Sequence, residues 1–168
     1  MKKLFLSPRG RIGRSAFMLG MACLLIFTML ALFLFTKLGP GMVTFYGFLV
    51  FIFLVLHIIM CVYGKRLHDL GRSLWPLIGM MALMVVVMIL VGLNFGGLEY
   101  FDTVMAHPEY AENEAEMEKA LNAYQDKLNA NLPKARWMMA VLPALFTLWL
   151  AAAKGTPDDN IYGPPEAA

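Results

Sequence analysis

The sequence predicts an all-α membrane protein: four antiparallel transmembrane helices, with an extracytoplasmic amphipathic helix between the third and fourth. Three observations predict it. Apolar stretches at 15–36, 42–63, 74–95 and 135–153 are each long enough, at about 1.5 Å of rise per residue, to cross a hydrocarbon core roughly 30 Å thick. The 168-residue chain is 60% hydrophobic and 15% charged, with mean hydropathy +0.64, more apolar surface than one soluble core of this size hides. Its basic residues are segregated. Lys2, Lys3, Arg9, Arg11, Arg14, Lys65, Arg66, Arg72 and Lys154 fall on one side of the four spans, against Lys37, Lys134 and Arg136 near the span ends on the other. Lys119 and Lys127 lie deep in a long loop, where they weigh little on orientation. The expected placement is therefore multi-pass in a bacterial inner membrane, with both termini cytoplasmic and the loop 96–133 outside.

Each element follows from local chemistry. The first 14 residues mix basic side chains with Leu4, Phe5, Leu6 and Ile12, which suits the headgroup level before Ser15 opens the first helix. That helix is too long for a signal-peptide core and ends at Lys37-Leu38-Gly39-Pro40 without a cleavage pattern, so it reads as a permanent span. Gly39-Pro40-Gly41 is a tight connection, which makes the first two spans neighbours. Trp75-Pro76 opens the third span, where a missing N–H is harmless, and Met80, Met81, Met84 and Met88 give it adaptable packing. Over 108–130, Tyr110, Met117, Leu121, Tyr124 and Leu128 recur at helical spacing, with acidic residues early and Lys119 and Lys127 late, as the helix dipole favours. Pro143 predicts a kink in the fourth span, and Trp137 and Trp149 mark its ends. Cys23 and Cys61 both fall in spans at different depths and read as small packing residues, not as a disulfide.

Three motifs lie on the basic side: Gly10-Arg11-Ile12-Gly13-Arg14-Ser15-Ala16-Phe17, Lys65-Arg66-Leu67-His68-Asp69-Leu70-Gly71-Arg72-Ser73-Leu74-Trp75, and Gly155-Thr156-Pro157-Asp158-Asp159-Asn160-Ile161-Tyr162-Gly163-Pro164-Pro165. In this order and with this hydrophobic spacing they resemble the bacterial inner-membrane family known as domain of unknown function 805, over nearly the whole chain. The resemblance implies four spans and cytoplasmic termini, and it carries no established reaction. Met18 stands where such proteins often have tryptophan, and Pro164-Pro165-Glu166 replaces the usual Pro-Asp-Pro. The acidic outer loop is an elaboration whose role the family does not supply.

Read as chemistry, Arg11, Arg14, Arg66 and Arg72 gather forked donors at one interface, where they would meet anions or lipid headgroups. Obedience to the positive-inside rule explains them as well, and more economically. Arg66 with Asp69 makes an i,i+3 pair, and Gly71 is placed to close the helix in the left-handed conformation. His68-Asp69 invites a metallophosphohydrolase reading, but the other histidines, His57 and His107, lie in a span and in the outer loop, so no metal site is expected. His57 needs a partner in hydrocarbon, and a hydrogen bond to another helix is the plainer role than proton relay. His68, Asp69, Asp158, Asp159 and Asn160 are expected to fold with the arginines into a polar cap over the helix ends.

No catalytic residue and no cofactor is assigned. The leading reading is a non-enzymatic scaffold or small pore or transporter component, and the alternative is an enzyme acting on a phosphate-bearing lipid or nucleotide through Arg66, Arg72 and His68. Expected partners are anionic membrane lipids, a second copy of the chain through Gly92, Gly96 and the seam of the outer helix, and an extracytoplasmic protein on its acidic face. A net charge of +2 gives no reason to expect nucleic acid.

Overall fold

The computed structural model describes residues 5–164. Lys2, Lys3 and Leu4 of the N-terminal segment, Pro165 of the third motif and Glu166 after it lie outside the described residues. The described chain is helical, without a strand, and four of its helices are long and apolar enough to cross a membrane. They are α1 (Arg14–Leu38), α2 (Met42–Asp69), α3 (Trp75–Gly92) and, after two shorter helices, α6 (Leu132–Ala152). The chain divides into two compact units, one running up to Ile78 and resuming at Thr147, the other Gly79–Phe146.

In the first unit, α1 and α2 are joined by rings. Phe17 meets Tyr63 at 5.4 Å between centroids, Phe27 meets Phe51 at 5.8 Å, and Phe35 meets Phe48 at 5.7 Å, so that rising numbers on α1 pair with falling numbers on α2. The first and third pairs are edge-on and the second is tilted, and edge-on pairs add about 0.5–1.5 kcal/mol each beyond the area they cover. Away from these contacts, side chains such as Met29, Phe33, Val43, Val50 and Phe53 are exposed. Lipid tails are as apolar as these side chains, so their exposure costs little in a bilayer. Burial concentrates instead at the far end of α2, where Cys61, Val62, Tyr63, Gly64, Lys65, Arg66, Leu67 and Asp69 are all inside. The helix therefore continues past the apolar stretch that ends at residue 63.

The second unit departs further from the pattern of the sequence. After α3 the backbone leaves helical geometry at Phe95 and Gly96, within the segment Leu93–Gly97, and resumes as α4 (Leu98–Ala106). Gly96 has φ +117°, a region that side chains other than hydrogen rarely adopt, and a Cβ there would come within 3.2 Å of both Tyr124 and Lys127. The helix expected over 108–130 is divided. A 3-10 turn, Pro108–Glu112, is separated by the extended residue Asn113 from α5 (Glu114–Ala130). The seam of α5 turns onto its own unit: Tyr100 lies 5.9 Å from Tyr124 and donates its hydroxyl to Met117 Sδ at 3.5 Å, while Lys127 pairs with Glu99. Gly96 is buried and Met117, Tyr124 and Leu128 are half-buried within the chain, whereas Leu121 stays exposed. In the 3-10 turn, the Glu109 carboxyl is held below its usual range by its own backbone N–H and by the His107 ring.

Candidate functional site

Ionisable side chains go inside at the end of α2, which needs an explanation because an unpaired buried charge is expensive. Arg66 is 0% exposed, Lys65 3%, Asp69 6% and Arg11 7%. The helix itself closes as a Schellman motif. Gly71 sits at φ +67°, its N–H bonds the His68 carbonyl at 3.0 Å, and the Arg72 N–H bonds the Leu67 carbonyl at 2.9 Å. Only glycine takes that backbone angle cheaply, so the closure expected of Gly71 is met, and the turn leaves Asp69 facing the other two motifs.

Asp69 is the centre of the site. Arg11 donates to its Oδ1 through Nε at 3.2 Å and Nη2 at 3.1 Å, and Arg66 Nη1 donates to its Oδ2 at 2.5 Å. Its main-chain carbonyl accepts from the Thr156 N–H at 2.9 Å and from the Thr156 hydroxyl at 3.1 Å. Two guanidinium cations against one carboxylate leave one positive charge over. Main-chain carbonyl oxygens take it up: Asp158 at 2.9 Å, Gly163 at 3.1 Å and Thr156 from Arg11, and Leu150 at 2.9 Å, Ala153 at 2.6 Å and Ile12 at 3.4 Å from Arg66. Leu150 and Ala153 lie at and just beyond the end of α6, where carbonyls lack helical partners and the dipole is negative. Arg14 adds to the same terminus by donating Nε to Ala153 at 3.0 Å.

His68 and the tail complete the clasp. The imidazole stacks on Tyr162 with centroids 3.9 Å apart and planes 7° from parallel. Its Nδ1 lies 3.2 Å from the Gly10 carbonyl, and because a carbonyl can only accept, that nitrogen carries the proton. Asn160 donates its amide to the His68 carbonyl at 2.9 Å and to Thr156 Oγ1 at 3.1 Å, and accepts from the Tyr162 N–H at 2.9 Å. The turn Asn160 to Gly163 is thereby aimed so that its carbonyl reaches Arg11.

The geometry places each of the expected site residues. Arg11 and Arg66 were expected to hold external anions, but they are buried and their donors are engaged by Asp69 and six carbonyls. Arg14 and Arg72 remain exposed, Arg72 with its guanidinium 5.5 Å from the Trp149 ring centroid. The tail carboxylates were expected to meet the arginines; Asp158 contributes its main-chain carbonyl instead, and Asp159 is exposed. His57 meets a residue of its own helix, Cys61 Sγ at 3.5 Å, because an i,i+4 spacing places the two one turn apart. Among the described residues no three His, Cys, Asp or Glu side chains converge as a metal set. Thr156 and Tyr162 were not singled out from the sequence; the only sign of them was their place inside the third motif.

Residues 5–164 match the family described as "Protein of unknown function (DUF805)", and the chain belongs to it. No curated protein and no solved structure matches.

Proposed function

We propose that this member of the family is a non-enzymatic scaffold of the bacterial inner membrane, with both termini cytoplasmic, four antiparallel spans, and the three motifs serving as a clasp over the helix ends. The observation that carries the reading is the engagement of the buried Arg11–Asp69–Arg66 cluster by the protein itself. A phosphate clamp needs free forked donors, and the enzymatic reading of His68 needs Asp69 free to orient it. Here Asp69 serves two arginines, and His68 is oriented by Gly10 and Tyr162. The exposed Arg14 and Arg72 fit the remaining role, contact with anionic lipid headgroups at the edge of the clasp.

Lipid retention tests this. Native mass spectrometry of the purified protein should show preferential carry-over of phosphatidylglycerol over phosphatidylcholine, and an Arg14→Gln, Arg72→Gln double variant should lose about fivefold of that preference per residue, the worth of about 1 kcal/mol for each basic group at an anionic surface. Turnover of a phospholipid or nucleotide that disappears in His68→Gln would instead establish the enzyme.

The orientation rests on charge and is tested separately. With Cys23 and Cys61 replaced by alanine, Asn113→Cys should react with a membrane-impermeant maleimide from the periplasmic side of intact cells. Labelling that requires opening of the inner membrane would reverse the topology.

A further inference from the structure

The second unit carries a cavity that the clasp does not explain. It has a volume of about 220 Å³, and it lies between α4, the 3-10 turn and α5. Three of its walls are phenol rings: Tyr100 from α4, Tyr110 from the turn and Tyr124 from α5. Tyr100 and Tyr124 meet at 43° with centroids 5.9 Å apart, which makes a corner and not a stack. Tyr110 stacks on the His107 ring at 4.8 Å, and His107 is fixed in turn by Glu109 at 2.9 Å.

The charges around the rings select the ligand. Glu99 is closed off by Lys127, whereas Glu116 is met only loosely, by Lys119 Nζ at 3.9 Å, and that lysine side chain is 80% exposed and free to swing away. The loop 96–133 holds eight acidic residues against Lys119 and Lys127, so its field draws cations and repels anions. Ring faces are negative, and a cation that is weakly hydrated and bulky enough to touch three of them gains most from such a corner. We propose that this cavity binds a quaternary ammonium group of choline size, seated on Tyr100, Tyr110 and Tyr124 with Glu116 as its counter-charge.

The test uses the full-length protein in nanodiscs of phosphatidylglycerol and phosphatidylethanolamine, titrated with choline by calorimetry. Saturable binding is expected, weakened about tenfold by Tyr124→Leu and by Tyr110→Leu, weakened several-fold by Glu116→Gln, and kept by Tyr110→Phe, which preserves the ring. Tyr110 lies on a short turn, so its variant stays informative if the change at Tyr124 disturbs α5. The neutral carbon isostere of choline, 3,3-dimethylbutan-1-ol, should bind far more weakly. Equal binding of that alcohol, no saturable binding of choline, or indifference to both leucine variants would overturn the proposal. Repeating the titration in phosphatidylcholine nanodiscs separates the two sources of the group: an unchanged affinity points to a free small molecule, and apparent competition points to the lipid headgroup.

Discussion

Asp69→Ala is expected to lower the stability of the detergent-solubilised protein by about 3–5 kcal/mol, the usual cost of leaving a buried charge without its partner. The loss falls on two cations at once, since Arg11 and Arg66 both point at this carboxylate and both are buried. Whole domains are stable by only about 5–15 kcal/mol, so the melting temperature should fall steeply and the tail from Thr156 should become protease-sensitive. Asp158→Ala is the matched control, because Asp158 serves through its main-chain carbonyl, which alanine keeps. Replacing all three members of the cluster by apolar residues should not rescue the protein, although bare buried ion clusters often tolerate that exchange. Here the guanidinium groups also satisfy carbonyls from Ile12, Leu150, Ala153, Thr156, Asp158 and Gly163, and an apolar side chain would leave those oxygens unpaired. An unchanged melting temperature for Asp69→Ala would mean that the clasp does not hold the helix ends.

The four membrane-crossing helices were legible because a bilayer imposes one rule, an apolar run of sufficient length, and hydropathy reads it directly. Hydropathy alone does not reach the end of α2, which runs on past the apolar stretch 42–63. Lys65, Arg66, His68 and Asp69 look like the start of a loop when read one residue at a time, yet they stay helical because residues 10–12 and 150–163 bring partners to them. Gly71 marked the true end, since the closure it provides is local. The convergence of the three motifs was also legible from the charge pattern, which assigns them to one side, but the bonds were not. A sequence displays side chains, so Asp158 and Asp159 stood out as partners for arginine; the structure uses main-chain carbonyls aimed by a turn, which every residue type possesses. The break at Phe95 and Gly96 falls where the apolar stretch 74–95 ends, but the helix that resumes at Leu98 was hidden for a similar reason: nothing local announces it, and Tyr124 and Lys127 pack against the Gly96 between the two helices.

Gly155→Ala should cost about 1–3 kcal/mol, the range for forcing an extra carbon into packed space, and toward its upper end. A Cβ at this position would overlap the Asp69 carboxylate. Overlap is cheap when the neighbour can turn away, as a long flexible side chain does. Asp69 cannot turn: Arg11 and Arg66 hold its two oxygens from different sides, and Thr156, the residue after Gly155, is bonded to its main-chain carbonyl. The penalty therefore belongs to the pair and not to the glycine. In a double-mutant cycle with Asp69→Ala, the carboxylate is already gone, so adding Gly155→Ala should cost almost nothing further, and the coupling should be close to the full single-variant loss. Gly79→Ala calibrates the measurement, because a Cβ there meets nothing within 4 Å and alanine in a helix is favoured over glycine by about 1 kcal/mol. If Gly155→Ala and Asp69→Ala add independently, the tail does not close on Asp69 in solution, and the clasp would have to be held by the arginines and carbonyls alone.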